Sequence, residues 1–487
     1  MNLTRRELLI GTAFTLHAAD SPWIDLFDGK TLNGWTPSEH QGGWKVSGGK
    51  LTFDGDRSHL FYTGSNSFKN FELEARVFTQ PLCNSGIFFH TEFQEKGFPV
   101  KGFEVQINNT AAGEGNYRER KKTGSLYGVR NVYKQIAPDE AWFDVRIVVR
   151  GKNIQIWANG IQTVDYTEPT PAVMAEGSER GRVLGSGTFA LQGHDMGSKV
   201  EYQWIRVRRL PDNATTIAEA PHVDDLFRDL LTLGSKNYPV VDYHVHLKNG
   251  LDLPTALAKA KRDGVFYGIA ANLGQGQPIT NDAGALKYIE SLQGACAFTG
   301  MQAEGREWVK MFSKSACSKF DYIFSDSMTW TDNRGKRMRL WLPDEVGTIG
   351  DVQEFMDTLV ERTVGILEHE PIDIYANPTF LPEQLKSRYD DLWTEERIGK
   401  VVSAAVANNV AIELNNRYKL PGDRVIGMAK DRKCKFAYGS NNTSAADLQR
   451  CEYGVGMTHK HKLGWPDIFV PGGAFGPKAI ERKPLSS

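Results

Sequence analysis

The hydrophobic rhythm of this chain changes once, between residues 211 and 239, and that change divides its 487 residues into two unlike halves. Before it, alternating runs such as Phe71-Glu72-Leu73-Glu74-Ala75-Arg76-Val77 and Val145-Arg146-Ile147-Val148-Val149 are separated by Gly and Asn turns. Period-two alternation at this density, with almost no helical periodicity, predicts an all-β sandwich or jelly roll over 20–210. After it, apolar strand-like runs alternate with helical stretches at 253–262, 352–368 and 395–408. That pattern predicts a parallel sheet with helical crossovers over 238–487. Between the halves, Pro211-Asp212-Asn213-Ala214 breaks the last strand, and 211–237 reads as a linker with a short helix at 223–233.

A chain this long exceeds one ordinary core, in keeping with a multidomain reading. Lys and Arg (58) nearly cancel Asp and Glu (59), so no basic excess exists to offset phosphates, which argues against a nucleic-acid partner. The five cysteines are scattered without metal-type spacing and read as buried thiols. At the N-terminus, Arg5-Arg6, an apolar run over 8–16 and His17-Ala18-Ala19 follow in the order of a secretory signal. Thr4-Arg5-Arg6-Glu7-Leu8-Leu9 resembles a twin-arginine export motif, so a signal over 1–19 and an exported, periplasmic or extracellular location are expected. The apolar run is too short for a stable membrane span.

In the second half, seven runs (240–246, 265–272, 295–303, 322–326, 372–377, 410–415 and 435–439) predict a distorted seven-stranded α/β, or (β/α), barrel. Each ends in polar residues, at the strand C-termini where such barrels build their sites. The first run, Val240-Val241-Asp242-Tyr243-His244-Val245-His246, places His244 and His246 on one face of a strand. Two imidazoles so spaced can grip one metal ion from the same side. Asn272, Glu304, Asp326, Asn377, Glu413, Asn415, Asn441 and Asn442 end the other runs. They converge either as a binding site or as a hydrogen-bonded amide cap. Arg306 and the basic loop of Arg334, Lys336, Arg337 and Arg339 are candidate anion contacts, Arg306 and Arg337 foremost. The alternative is a solvated loop paired with Asp332, Asp344 and Glu345.

In the first half, Phe103-Glu104-Val105-Gln106 puts an acid and an amide on one sheet face, either toward a sugar or on a solvated outer side. His90 ends the apolar run Ile87-Phe88-Phe89, and His194 sits in a glycine-bounded turn. Each is either a base or a hydrogen-bonded loop histidine.

An ordered series of segments carries a family resemblance across 23–210. It runs through Leu26-Phe27-Asp28-Gly29-Lys30-Thr31-Leu32-Asn33-Gly34-Trp35, Asn84-Ser85-Gly86-Ile87-Phe88-Phe89-His90 and Gly102-Phe103-Glu104-Val105-Gln106-Ile107. Thr123-Gly124-Ser125-Leu126-Tyr127-Gly128, Trp157-Ala158-Asn159-Gly160 and Leu191-Gln192-Gly193-His194 follow. This half resembles the 3-keto-disaccharide hydrolase domain family, which has a concanavalin-like jelly-roll fold. The resemblance implies a sugar substrate oxidised to a ketone at C3, with a base that removes the C2 proton and a metal ion or strong donors that polarise the ketone. His90, Glu104 and His194 are then the candidates for base or metal ligation, their roles undivided, and Gln106, Asn108, Tyr127 and Gln192 the candidate sugar contacts.

The second half resembles the polymerase-and-histidinol-phosphatase family, metal-dependent hydrolases whose barrels begin with His-x-His. His244, His246, Glu304 and Glu413 fit that pattern in order, with Asp326 where another histidine is often found. Asn377-Pro378 and Gly439-Ser440-Asn441-Asn442 depart from it. The resemblance implies at most one divalent ion (Mn, Zn or Ca), held by His244, His246 and a carboxylate of Glu304, Asp326 or Glu413. The expectation is an exported hydrolase whose jelly roll cleaves the glycosidic bond of a 3-keto-disaccharide or related 3-keto-glycoside, with a second, metal-dependent site in the barrel. Two alternatives stand beside it: a sugar-holding jelly roll that serves a catalytic barrel, and an active jelly roll on a metal-free scaffold barrel.

Overall fold

The computed structural model describes residues 21–64, 67–111, 113, 117–178, 181–331, 336–472 and 476–485. The expected signal segment, like Arg334 of the basic loop, lies outside the described residues.

Alternation builds the first domain as the sequence predicts. In the strand Phe71–Thr79, Phe71, Leu73, Ala75 and Val77 are fully buried, while Glu74 and Arg76 between them are only half-buried. This strand is central to an antiparallel sheet of eight strands, paired with Trp142–Arg150 on one side and Val200–Arg209 on the other. A five-stranded sheet faces it, in the order Trp35–Pro37, Ser58–Tyr62, Thr188–Gly193, Asn84–Thr91, Phe103–Asn108. Ile87, Phe89, Phe103, Val105, Ile107, Phe189 and Leu191 from the smaller sheet fill the core between the two. The last three of its strands are buried on both faces. Loops cover the side turned away from the core, and that covered side carries Glu104, Gln106 and Gln192.

The linker helix is Asp225–Ser235, capped by Asp224, whose side chain accepts from Phe227 N. The second domain then closes seven parallel strands into a barrel: Val241–Val245, Phe266–Gly274, Phe298–Glu304, Tyr322–Ser325, Ile374–Tyr375, Ala411–Asn415 and Phe436–Gly439. These are the seven runs read from the sequence. Helices such as Leu253–Asp263, Val352–His369 and Glu395–Ala407 lie between them. Among the described residues no helix is long and apolar enough to cross a membrane. All five cysteines are buried free thiols.

The two domains meet at the N-terminal ends of the barrel strands. Val132, Tyr133 and Ile136 of the jelly roll share one apolar cluster with Val241, Phe266 and Phe298, the first residues of three barrel strands. Arg130 donates to Lys261 O (2.7 Å) and Arg262 O (2.7 Å) at the C-terminus of a barrel helix, where unpaired carbonyls and the helix dipole favour a cation. Lys134 Nζ reaches Ala297 O (3.0 Å) and Asp321 Oδ2 (2.8 Å). The C-terminal rim of the barrel, at the opposite end, carries its polar residues.

Candidate functional site

The covered face of the small sheet forms the first site. Register places Gln192 beside Gly86 and Gly86 beside Gln106, so three strands set two glutamines around a position with no side chain. The Glu104 carboxylate lies over that gap: a Cβ at position 86 would stand 2.7 Å from Glu104 Oε1. Gln192 Nε2 donates to the same Oε1 (3.2 Å), and Gln106 Nε2 donates to Asn84 Oδ1 (2.7 Å). Both glutamine Oε1 atoms are buried with no hydrogen-bond partner among the described residues. A buried acceptor left unpaired costs about 1–3 kcal/mol. A ligand hydroxyl would remove that cost.

These side chains line a cavity of about 190 Å³ with Phe98, Tyr117, Glu119, Tyr127 and His194. Sites for drug-sized ligands run to roughly 300–1,000 Å³, so this one suits a single sugar ring. Its wall is a hydrogen-bonded network in which Glu119 and Lys121 are buried and Tyr117 reaches the surface. Tyr117 and Tyr127 (3.1 Å) both donate to Glu119 Oε2, and the Lys121 ammonium lies 3.7 Å from Glu119 Oε1 and 4.3 Å from the centre of the Tyr127 ring. Burial, then the Glu119 charge, pushes the Tyr117 phenol far above its ordinary value, so it stays protonated. At the rim, His194 Nδ1 lies 2.8 Å from Asp195 Oδ2, and its ring packs on Phe98. The His194 hydrogen bond holds the Asp195 carboxyl below its usual range, helped by Ser198 Oγ (2.8 Å) and Gly197 N (3.1 Å). Asp195 thereby fixes the imidazole and leaves Nε2 for the cavity.

The structure separates two expected residues from this set. His90 does not line the cavity: its backbone turns to a φ of 55° at the strand end, its Nε2 lies 2.8 Å from Lys69 O, and Gly185 N donates to Nδ1 (3.3 Å). Burial lowers its pKa to about 4, so it is a neutral histidine spanning two backbone groups. Asn108 donates to Ala111 O (3.2 Å) and Lys121 O (3.2 Å) and ties down the loop rather than facing the cavity. Glu104, Gln106, Tyr127, Gln192 and His194 do meet there. Asn84, Tyr117, Glu119 and Asp195 join them without having been singled out in the sequence. Of these, Asp195 carried the clearest signal, standing directly after His194 in a glycine-bounded turn.

The second site is the barrel mouth, a cavity of about 210 Å³ lined by His246, Glu304, Asp326, Asn272, Gln302 and Asn377 among others. His244 and Glu413 lie behind it, joined at 2.6 Å. Amides are interleaved with the acids throughout. Glu304 Oε1 accepts from Asn272 (3.0 Å) and Gln302 (2.9 Å), Asp326 Oδ2 from Asn377 (2.7 Å), and Glu413 Oε2 from Asn377 N (2.6 Å) and Asn415 (2.9 Å). His244 Nε2 faces the Gln302 amide oxygen (3.3 Å), and His246 Nδ1 lies 2.9 Å from Ala270 O. A cation needs several lone pairs turned to one point, whereas here amide N–H groups occupy them. Among the described residues no three His, Cys, Asp or Glu side chains form such a group, in either domain. In this arrangement amide N–H groups take carboxylate oxygens that the ion expected on His244, His246 and a carboxylate would use. Burial, then the Asp326 charge, raises Glu304 to about 7.

Neither arginine proposed for an anion lines this mouth. Arg306 spans Glu370 Oε1 (2.6 Å), Ser325 Oγ (2.8 Å) and Asp326 O (3.0 Å) as a brace. Arg337, on a short hairpin strand Arg337–Arg339, lies 3.7 Å from Glu307, and Arg339 pairs with Glu345. Among the described residues of the basic loop, Arg337 and Arg339 thus each face a carboxylate.

Residues 22–208 match the model of a family described as the 3-keto-alpha-glucoside-1,2-lyase-like domain, a match spanning less than half of the chain. No curated protein matches. Among solved structures, a candidate glycosyl hydrolase from Parabacteroides distasonis is 22% identical, with 39% of this chain and 94% of that one covered and a TM-score of 0.33. A second structure of a candidate glycosyl hydrolase from the same organism gives 21%, 39%, 100% and 0.32. A carbohydrate-binding module from Bacillus subtilis gives 11%, 36%, 95% and 0.25.

Proposed function

We propose that the jelly-roll cavity cleaves the glycosidic bond of a 3-keto-glycoside, with Glu104 and His194 as its acid–base pair. The observation that carries this reading is the convergence of a buried carboxylate, a carboxylate-paired imidazole and two unpartnered amide oxygens in one ring-sized cavity. The family match over the same residues supports the substrate class.

A ketone at C3 acidifies the proton on C2. Glu104, on the cavity floor, takes that proton, and the C–H electron pair forms an enolate whose charge rests on the C3 oxygen. Asn84, whose Oδ1 is taken by Gln106, offers its Nδ2 to that oxygen. The enolate re-forms the ketone and expels the glycosidic oxygen from C1, leaving a C1–C2 double bond. His194 stands at the half-exposed rim, where the leaving sugar or aglycone projects, and gives the departing oxygen its proton. Asp195 stabilises the imidazolium form before that transfer. Water added across the double bond completes a net hydrolysis. Gln106 and Gln192 bind ring hydroxyls through their free Oε1 atoms.

The test is release of alcohol from a 3-keto-glucoside by the full-length protein and by Glu104→Gln. The reading predicts release by the parent and a fall of about 10²–10⁴-fold in the variant, the range of general acid–base catalysis. Equal rates would remove Glu104 from the chemistry.

A further inference from the structure

We infer that Asn237, in the segment that enters the barrel, is a positioning residue for the sugar cavity of the other domain, so that the cavity wall is complete only with the barrel docked. This rests on the reading of the cavity given above.

In the run Arg118-Glu119-Arg120-Lys121-Lys122 the last four residues are buried, with Lys121 at zero exposure. A buried ammonium is tolerated only when its N–H groups and charge are matched. Its hydrogen-bond acceptor is Asn237 Oδ1, at 3.0 Å, and its charge partner is Glu119. Asn237 also accepts from Arg120 N (3.4 Å), and its Nδ2 donates to Arg118 O. One residue from outside the jelly roll therefore holds Arg118, Arg120 and Lys121 of the cavity loop. The connection then passes inward: Lys121 to Glu119, and Glu119 to the hydroxyls of Tyr117 and Tyr127, which face the ligand space.

Arg120 Nη1, in the same loop, donates to Ile468 O (3.0 Å), but Arg120 does not itself line the cavity, and the remaining anchors lie farther along the chain. Lys134 ends on Ala297 O and Asp321, and Asn131 on Gly234 O. Asn237 alone among these contacts leads by successive bonds to residues that line it. Its own backbone has a φ of 61°, a left-handed conformation that asparagine and glycine adopt most readily.

The experiment compares full-length Asn237→Gly, Asn237→Asp and Lys134→Met on nitrophenyl 3-keto-glucoside. Glycine keeps the backbone conformation while removing the amide. Loss of the wall contacts removes binding shared by ground and transition states, so KM rises at least tenfold with kcat within threefold of the parent. Aspartate keeps the acceptor for Lys121 and holds KM within about threefold. Lys134→Met cuts a half-buried link between the same two domains and leaves KM unchanged. A merely structural role would lower the active fraction, hence kcat, with KM constant, and that result overturns the inference. So does an Asn237→Gly KM within twofold of the parent. Amide hydrogen exchange over 117–128 gives a readout free of activity. It accelerates at least tenfold in Asn237→Gly if the brace is real and stays at the parent rate if it is not. A parent protein inactive on the ketone would sink the functional reading alone, and exchange would still decide the brace.

Discussion

Gly86 offers a sharp probe of the cavity because its place is set by what it lacks. In Gly86→Ala the new methyl would stand 2.7 Å from Glu104 Oε1, 3.1 Å from Cγ and 3.3 Å from Cδ. Ordinary carbon–oxygen contact begins near 3.4 Å, so the carboxylate must retreat by more than half an ångström. The strand offers no backbone objection, since Gly86 is an extended residue in the middle of Asn84–Thr91. Overpacking costs about 1–3 kcal/mol. The stiffer unfolded chain returns about 0.4–1 kcal/mol of that. The protein therefore folds, with its thermal midpoint lowered by a few degrees. Activity suffers far more. A misplacement of 1 Å can cost about 10²-fold, so half of that predicts a fall of roughly tenfold or more in kcat/KM. The assay is steady-state cleavage of a 3-keto-glucoside with circular-dichroism melting in parallel. Cleavage within twofold of the parent would refute the placement of Glu104 as the reacting carboxylate.

Other expectations follow from the same geometry. His194→Ala loses about 10²-fold on an alkyl 3-keto-glucoside but far less on a nitrophenyl one, whose leaving oxygen needs no proton; equal losses on both would contradict a general-acid role. Arg450 beside Asp224 (3.1 and 2.6 Å) brings that carboxyl to about 2. Its folded pKa is depressed, so the added stability is present above about pH 4 and fades as pH falls toward 2. Asp224→Asn keeps the helix cap and at pH 7 costs about 0.5–1 kcal/mol, an amount set by the partial exposure of the pair. Urea melts at pH 7 and pH 2 check that the difference disappears at the lower pH. The amide-occupied barrel mouth predicts that Zn or Mn leaves the thermal midpoint within 1 °C, whereas an ion at a hundred times its dissociation constant would add about 2.7 kcal/mol of stability.

Much of this architecture is legible in the sequence because hydrophobic period is a local property. Each barrel strand announces itself as a short apolar run with a polar end, and the closed barrel contains all seven. Glu104 and Gln106 fall on one face by alternation alone, and the glycines around Gln192 and His194 mark a turn close to them. His90 shows where such reasoning stops. Its position at a strand end suggests a cavity, but one left-handed residue turns its ring to Lys69 O and Gly185 N. The cavity wall was harder to see. Tyr117, Glu119 and Lys121 sit in an aperiodic loop, and five charges in six residues read as solvated until the second domain covers them. In the barrel, His246, Glu304 and Asp326 line the mouth, with His244 and Glu413 paired behind it. Sequence order does not reveal that Asn272, Gln302, Asn377 and Asn415 spend their N–H groups on those carboxylates.

The central claim, proton removal from C2 by Glu104, is tested most directly by isotope at that carbon. The full-length protein and Glu104→Gln would each be given a 3-keto-glucoside carrying deuterium at C2. The account predicts a primary isotope effect on cleavage by the parent, and loss of both cleavage and C2 exchange with solvent in the variant. Cleavage by the parent with no isotope effect and no C2 exchange, or C2 exchange that persists at the parent rate in Glu104→Gln, would contradict it.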